Sequence, residues 1–561
     1  MQTRADKAEL KAAGDKSEGR ELTPASVFWA FAAIFFLNLL LRVFYLRYDF
    51  VNGDEGVRAL TATRLLEGAR LYADVVTDKP PGATLFYAAV FALFGRSMKA
   101  VHLAAAVWNF ATSIVIYLTA ALVYGKRVGL WAALLFVYFS TNYFTQDMMA
   151  ANTELLMVLP YTAAFYFFMK ASRGQSMALL IAAGLMTGVA AMFKQVGVLA
   201  LLFFGLNELF EAYNDRVSFR ANWTKRSAAG LARLSLVALS FALVIAAFVF
   251  WLLGMGALAD FWRNSVEINM LYVDAELTGS WLRFMVGRGL GYVLFNLTLW
   301  SLAAWTVVRS IKAVRHSTKR GNAQAHFNLS VALWATIGLA SVLIGGRFLG
   351  HYFITILPAL SLLAAPGIET LGRYLRDDAY KRKSRAAATA LGLFFIFGFA
   401  RMHHRTAVLA YETMSGARTR WSEAWGMSKR QHEAEAITEA LRGRIEFGEP
   451  LYIWGYAHDV YWRTGCRPAS RYLAPYYIDG RFVDAEAVAG APDAALWREA
   501  RANFIEDLRR ARPRLILDVY GNMDDLPYAD VVEFVKENYR DEGTVGPDPQ
   551  RPFRVLRLKN E

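Results

Sequence analysis

Cysteine is almost absent from this sequence. Its 561 residues include one, Cys466, so no disulfide can form within the chain and a cysteine-rich metal site is excluded. The sequence also lacks an HExxH motif and a repeated DxD motif near the residues singled out below. It therefore demands no dedicated metal site. It contains no internal repeat and no low-complexity tract.

About the last 160 residues lack apolar runs of membrane-spanning length, whereas such runs recur along the sequence before them. The chain is 55% hydrophobic and 14% aromatic, which is more than one soluble core of this size would use. A helix needs roughly 20 mostly apolar residues to cross a bilayer. We therefore predict a polytopic α-helical membrane protein with about eleven transmembrane helices, at 27–46, 100–124, 127–146, 153–169, 177–193, 195–210, 232–253, 289–308, 327–345, 351–366 and 386–401.

Acidic residues are outnumbered by basic ones, 48 to 62, which gives a formal net charge of +14. The basic residues cluster in short connections between apolar runs, as in cytoplasmic loops that face anionic lipid, and this pattern disfavours a nucleic-acid partner. A cytoplasmic N-terminus places every dense cluster inside, so we predict that orientation in a bacterial-type cytoplasmic (inner) membrane. The clusters are Lys126/Arg127, Lys170/Arg173 and the loops 211–231, 309–326 and 373–385.

The two ends of the chain differ from its middle. The stretch Met1–Glu21 is polar, mixed in charge and too acidic to start a secretory signal, and no small-residue cleavage site follows the first apolar run. We expect a cytoplasmic tail at 1–26 and a transmembrane domain at 27–401. Residues 402–561 are predicted to form a small extracytoplasmic α/β domain, with strands at 451–456, 514–520 and 553–558 and helices at 430–442 and 496–511.

One apolar run is too short to be a span. The segment 83–95 has about 13 residues, and counting it as a transmembrane helix would invert every later loop. We interpret it as an interfacial helix on the outer side. The first outer loop, 47–99, is then a structured element.

Two motifs stand in this loop. Asn52-Gly53-Asp54-Glu55-Gly56 sets two carboxylates at a membrane surface, where acidic groups are unfavourable unless paired or used. A glycine-bracketed surface turn is the alternative. Thr77-Asp78-Lys79-Pro80-Pro81-Gly82 places a lysine before a rigid diproline, which would hold Lys79 as a partner for a lipid phosphate. A snorkelling interfacial lysine explains the same residues.

Together with Asn152-Thr153-Glu154 at an outer helix end, these motifs resemble the protein O-mannosyltransferases and aminoarabinose-to-lipid A transferases of the glycosyltransferase C superfold. Phe193-Lys194-Gln195, Gly350-His351-Tyr352-Phe353 and Leu357-Pro358 extend the likeness, which covers roughly residues 27–366. The C-terminal domain is similar in one segment, 454–473.

The resemblance implies catalytic roles for three carboxylates. Asp54 corresponds to the carboxylate that acts as general base on the acceptor hydroxyl, with inversion at the anomeric carbon. Glu55 is its neighbour, and Glu154 stands where relatives commonly carry Asp. Some relatives hold a divalent cation between acidic residues, and Asp54 with Glu154 is the pair that would do so here. No cofactor is otherwise required.

The departing polyprenyl phosphate needs preorganised donors. Lys79, Lys194, Arg347 and His351 lie at outer ends of elements and are the candidates, with Lys79 first. Snorkelling explains Lys194 and Arg347 equally well, and His351 is alternatively an ordinary histidine of the helical bundle. Aromatic and basic residues of the C-terminal domain offer weaker candidates for acceptor contact, with a packing role as the alternative. These are Trp454, Tyr461 and Arg471, within the set that also includes Tyr456, Trp462, Tyr472, Tyr476 and Tyr477.

These observations predict a membrane glycosyltransferase that moves a monosaccharide from a polyprenyl-phosphate-linked donor to a lipid, glycan or protein hydroxyl. Membrane lipids are its other partners. A transporter or flippase of lipid-linked sugars is the alternative, since many helices with polar residues also describe carriers. The missing repeat and the position of the candidates at one face, away from the midplane, count against it. A scaffold that keeps the fold without catalysis is the third possibility.

Overall fold

The computed structural model describes residues 22–143, 145–214, 216–271, 281–316, 323–417, 419–423, 425–479, 495–546 and 553–559. Helices dominate it. In the first half they are α1 Pro24–Val43, α2 Gly53–Leu66, α3 Gly82–Phe94, α4 Met98–Tyr124, α5 Lys126–Phe139, α6 Thr145–Met149, α7 Thr153–Gly174, α8 Met177–Phe193, α9 Leu199–Asn214 and α10 Arg216–Met255.

The second half of the helical region continues with further helices, and the C-terminal region adds a sheet. The helices are α11 Leu258–Phe261, α12 Trp281–Phe284, α13 Leu290–Phe295, α14 Leu297–His316, α15 Ala323–Ile344, α16 Leu357–Arg376, α17 Lys381–Ser415, α18 Arg420–Glu423, α19 Gly426–Leu441, α20 His458–Thr464, α21 Tyr476–Asp479, α22 Ala495–Ala511 and α23 Ala529–Asn538. The strands are β1 Pro450–Trp454, β2 Arg467–Pro468, β3 Leu515–Asp518, β4 Tyr539–Val545 and β5 Phe553–Leu558.

The predicted polytopic membrane fold is confirmed. Among the described residues, eight helices are long and apolar enough to cross a membrane, or nine if Trp281–Phe295 and Leu297–Arg315, bent by 79°, form one broken span. The predicted count of eleven also included α5 and α8. These have 14 and 17 residues, fewer than the roughly 20 that a spanning helix needs.

Local sequence explains several helix boundaries. Ser97 caps α4 by accepting a hydrogen bond from the backbone N–H of Ala100 at 3.3 Å, and Gly125, with a φ of 80°, ends that helix. Asn52 caps α2 in the same way, through the N–H of Glu55. The short helix predicted at 83–95 is α3, which follows Pro81 directly.

The boundary predicted at 401 falls inside a helix. α17 runs without a break from Lys381 to Ser415, because its polar end is supported by tertiary contacts that the apolar pattern does not reveal. Glu412 accepts a hydrogen bond from Arg47 at 2.7 Å, and the Thr406 hydroxyl lies 3.3 Å from that of Tyr45. The helix therefore continues past its apolar part.

The C-terminal region contains a five-stranded sheet in the order β2-β1-β3-β5-β4. β1 is parallel to β2 and β3, whereas β5 is antiparallel to β3 and β4. Three of the strands and the helices α19 and α22 were predicted. The predictions missed β2, which is only two residues long, and β4, whose middle is mostly exposed and charged.

This region packs directly onto the first loop of the helical domain. One buried cluster contains Val57 and Leu60 of α2 together with Leu451 of β1 and Val460 of α20. Because these side chains share a core, the α2 helix that carries Asp54 is held between the helical bundle and the sheet.

Candidate active site at one end of the helical bundle

Asp54 occupies the first turn of α2, where the helix dipole favours a carboxylate. Its side chain is 43% exposed, and Oδ2 lies 3.6 Å from Nη2 of Arg58. Partial burial by itself would raise the pKa of Asp54, but Arg58, His351 and Lys79 outweigh it and hold that pKa below its ordinary value. Asp54 is therefore an accessible, ionised carboxylate among cationic side chains.

Glu55 differs completely from its neighbour in the sequence. It is fully buried, and its carboxylate accepts hydrogen bonds from the backbone N–H of Val51 at 2.7 Å and of Ala151 at 2.8 Å. Nε2 of His102 lies 3.1 Å away. The contacts with Ala151 and His102 tie the start of α2 to other elements, which favours a structural role for Glu55, and its catalytic role stays a prediction.

Glu154 lies at the start of α7, as predicted, and is also buried. Lys194 donates a hydrogen bond to its Oε1, and Thr153 donates one to Oε2 at 2.9 Å. The Lys194 ammonium also sits 4.1 Å from the ring centroid of Tyr352. Two of the predicted site residues, from α7 and from the α8–α9 junction, thus form one buried ion pair.

His351 brings a further segment to this cluster. Its Nε2 is 3.8 Å from Oε1 of Glu154, and its Nδ1 is 3.9 Å from Oδ2 of Asp147. Burial raises the pKa of Asp147, against the effect of His351, which lowers it. Arg347 lies in the preceding turn, where its carbonyl accepts a hydrogen bond from Arg288 at 3.1 Å.

Lys79 stands before α3, as the diproline predicted, and it pairs with the adjacent Asp78. The Tyr477 hydroxyl of α21 donates to the other oxygen of Asp78 at 3.2 Å. α3 itself approaches the end of α8 closely, since a Cβ at Gly82 would lie 2.6 Å from the Met192 carbonyl oxygen. This contact brings the Lys79 segment next to the turn that carries Lys194.

The C-terminal region forms one wall of the site. The Tyr456 ring lies 3.3 Å from where a Cβ of Gly53 would be, and a Cβ at Gly56 would lie 2.6 Å from Cβ of His458. The approach at Gly56 is too close for any side chain without a shift of His458, whereas the contact at Gly53 is tight. Tyr456 and Tyr477 are thereby placed beside the Asp54 and Asp78 segments.

The surroundings of the weaker acceptor candidates favour the alternative packing role, and acceptor contact stays a prediction. Trp454 is fully buried, with Nε1 donating to Asn522 at 3.0 Å, and Tyr461 is a core residue whose hydroxyl donates to the Leu451 carbonyl. Arg471 is engaged by the Asp507 carboxylate through two hydrogen bonds. The contacts of these three residues all lie within the C-terminal domain.

Sequence reasoning missed Arg58 and Asp147. The pair Asp54/Arg58 has the i, i+4 spacing of neighbours on a helix face, which was a usable signal. Asp147 had no such signal, because its approach to His351 depends on the packing of α6 against the 350–356 turn.

The two carboxylates that could bind a metal ion, Asp54 and Glu154, already have cationic side chains beside them. Glu154 has Lys194 as its counter-ion and Asp54 faces Arg58. Across the part of the chain that the structure describes, no group of three or more His, Cys, Asp or Glu side chains is arranged to hold a metal. A cation between Asp54 and Glu154 would have to displace positive charge that the protein already supplies.

Part of the sequence matches a known protein family. Residues 78–241 match the family model for dolichyl-phosphate-mannose-protein mannosyltransferase, a segment that holds Lys79, Glu154 and Lys194. No curated protein matches the chain by sequence.

Solved structures match nearly the whole chain. The chain is similar to ArnT from Cupriavidus metallidurans bound to undecaprenyl phosphate, with 15% identity, 96% of this chain and 99% of that chain covered and a TM-score of 0.54. The apo form of the same protein gives 15% identity, 95% and 98% coverage and a TM-score of 0.55. The oligosaccharyltransferase AglB from Archaeoglobus fulgidus, in complex with an inhibitory peptide and a dolichol-phosphate, gives 12% identity, 95% and 74% coverage and a TM-score of 0.50.

These matches confirm the predicted fold and the resemblance that the motifs indicated. The chain is a multi-pass membrane protein with the ArnT-like glycosyltransferase C fold, and its residues 78–241 are similar to the mannosyltransferase family model.

Proposed function

We propose that the chain is an inverting glycosyltransferase that moves a monosaccharide from a polyprenyl-phosphate-linked donor to a hydroxyl of a lipid, glycan or protein acceptor. The observation that carries this proposal is the contrast between the two adjacent carboxylates. Asp54 is accessible and surrounded by cationic side chains, whereas Glu55 is buried and used for structure. One carboxylate is thereby left free for proton transfer.

The reaction follows from this arrangement. The acceptor oxygen attacks the anomeric carbon from the face opposite the phosphate, and its proton passes to the Asp54 carboxylate. The bond between the anomeric carbon and the phosphate oxygen breaks, and the polyprenyl phosphate leaves with the electron pair. A single displacement of this kind inverts the configuration.

Positive charge at the site supports departure of a phosphate. Lys79 is 29% exposed and, among the described residues, its ion-pair partner is the adjacent Asp78, so it is the first candidate to contact the leaving group. Lys194 and His351 lie next to Glu154 instead, and Arg347 is in the segment just before His351. Lys194 is already committed to Glu154, and its contribution is therefore to hold that carboxylate in place as well as to supply charge.

The site is proposed to face outward from the inner membrane, with the N-terminus in the cytoplasm. The basic loops support this orientation through the positive-inside rule. Topology reporters fused after residues 320 and 420 test it. A reporter at 420 that is active only in the cytoplasm would overturn the orientation.

The catalytic assignment is tested by Asp54→Asn. Membranes or proteoliposomes that carry the variant are assayed for sugar transfer from a polyprenyl-phosphate donor, and we expect the rate to fall about 10²–10⁴-fold, as for loss of a general base. Glu67→Gln is the matched control, because Glu67 follows the same helix and forms an exposed ion pair with Arg64. Undiminished transfer by Asp54→Asn would sink the assignment, and movement of the lipid without cleavage of the sugar–phosphate bond would indicate a flippase.

A further inference from the structure

A second polar cavity lies at the opposite end of the helical bundle. It has a volume of about 290 Å³, and its lining includes Tyr124, Arg309, Asn328 and Arg373. Within α4, His102 contacts Glu55, and Tyr124 at the end of the helix lines this cavity. At 1.5 Å per residue this stretch of helix is about 33 Å long, which is close to the hydrocarbon thickness of a bilayer. The cavity therefore lies near the other membrane interface from the Asp54 cluster.

The cavity carries an excess of positive charge. Arg309 and Arg373 both line it, and within the described residues neither forms an ion pair. The sequence between α14 and α15, residues 317–322, contains no Asp or Glu. The one acidic residue that lines the cavity, Glu369, lies 3.5 Å from Nε of Arg127 and thus has another partner.

The floor of the cavity is polar although it lies within spanning helices. Asn328 and Ser310 are both buried, and Nδ2 of Asn328 donates to Oγ of Ser310 at 3.0 Å. The Tyr124 hydroxyl donates to Oδ1 of Asn328 at 2.6 Å. Polar groups at this depth are costly unless they are satisfied or used. Asn328, Ser310 and Tyr124 satisfy one another and therefore do not occupy the two guanidinium groups.

The arginines are also held in position by their surroundings. The Arg309 guanidinium lies 5.6 Å from the ring centroid of Trp305 and 5.9 Å from that of Tyr374. Nη2 of Arg373 is 3.5 Å from the Thr370 hydroxyl. Two restrained guanidinium groups thus line one cavity, and arginine binds phosphate through paired N–H donors of this kind.

We infer that this cavity is a binding site for a phosphate group at the membrane interface, held by Arg309 and Arg373. The phosphate of an anionic lipid headgroup and free inorganic phosphate share this chemistry. The position of the cavity one bilayer thickness from the Asp54 cluster matches the depth at which lipid phosphates lie. The inference does not depend on the reaction proposed for Asp54.

Native mass spectrometry of the full-length protein in detergent tests this site, with phosphatidylglycerol titrated as the probe and inorganic phosphate as a second, separate probe. We expect the double variant Arg309→Ala/Arg373→Ala to weaken binding of the first lipid at least 10-fold. The matched control is Lys383→Ala/Arg385→Ala, which removes two exposed basic residues of α17 near the same interface that do not line the cavity. This control should bind as the unaltered protein does.

A variant that strengthens binding guards against misfolding as an explanation. Glu369→Gln removes the acidic residue from the cavity, so we expect tighter binding by a few fold. If the arginine variant loses binding of phosphatidylglycerol but not of inorganic phosphate, the ligand is a lipid headgroup. If it loses binding of inorganic phosphate, the ligand is the free anion. Equal binding of both probes by the unaltered protein, the arginine variant and Glu369→Gln would overturn the inference.

Discussion

Asp54 and Arg58 lie one helical turn apart, with Oδ2 of the carboxylate 3.6 Å from Nη2 of the guanidinium. Arg58 is itself anchored, since its Nη1 donates to Oδ1 of Asn152 at 3.1 Å. The two residues form a fixed electrostatic unit at the start of α2, and the proton affinity of the proposed base depends on it.

The first prediction concerns the pH dependence of transfer. Arg58 lowers the pKa of Asp54, so Arg58→Met should raise that pKa and move the acid limb of the kcat/KM profile to higher pH. Arg64→Met is the control, because Arg64 lies on the same helix and pairs with Glu67 instead. An acid limb at the same pH in Arg58→Met would contradict the role of Arg58.

The second prediction separates Glu55 from Asp54. In Glu55→Gln an amide NH₂ replaces one acceptor oxygen and faces a backbone N–H donor, so we expect a loss of about 1–3 kcal/mol in the free energy of unfolding. Activity per folded molecule should stay near that of the unaltered protein. Thermal unfolding in detergent and a transfer assay on the folded fraction measure the two quantities.

The same variant has a defined pH signature. Burial alone would raise the pKa of Glu55, but His102 and the backbone N–H groups of Ala151 and Val51 outweigh it and hold the pKa below its ordinary value. The stabilisation by the carboxylate is thus complete above its unfolded pKa of about 4.3 and is lost as pH falls through the folded pKa. The deficit of Glu55→Gln should therefore shrink at acid pH, and a deficit that grows there would refute the assignment.

The third prediction concerns the buried pair of Lys194 and Glu154. Lys194→Met leaves a buried carboxylate without its partner, which should destabilise the protein by about 3–5 kcal/mol. The double variant Lys194→Met/Glu154→Gln removes both charges and should recover most of that stability, but it should not recover transfer. If the double variant is as unstable as Lys194→Met, the pair is not the source of the effect.

The fourth prediction is that transfer continues in the presence of EDTA. Arg58 and Lys194 already supply positive charge to Asp54 and Glu154, which leaves a divalent cation without a favourable place between them. The assay compares the rate before and after chelation, with readdition of Mg²⁺ or Mn²⁺ as the second arm. Loss of transfer on chelation that either ion restores would show that a cation is required.

Much of the helical domain could be predicted, because apolar runs report helices directly. Met177–Phe193 matches its predicted bounds, and the short helix Gly82–Phe94 was recognised as distinct from the longer spans. Helix ends supported by tertiary contacts could not be predicted. The sequence pattern places the end of the last helix at 401, whereas contacts of Thr406 and Glu412 carry it to Ser415.

The sequence identified the residues of the site, but it did not predict which side chains contact one another. Sequence order places Asp54 beside Glu55, yet their burial is opposite because Val51, Ala151 and His102 surround only one of them. Likewise, a lysine at a helix end gives no sign that Glu154, 40 residues away, is its partner. Such pairings depend on packing between helices, which local patterns do not report.

The C-terminal region, which contributes Tyr477 to one wall of the site, is synthesised late. Asp78 and its partner Tyr477 are separated by 399 residues, a length that a ribosome adds in about 20–80 s at 5–20 residues per second. Once residue 194 has been added, the nascent chain holds Asp54, Lys79, Glu154 and Lys194, but it still lacks Tyr477. Tyr477 is thus the last of the site residues named above to be synthesised, and a chain that stops before it lacks this wall beside Asp78.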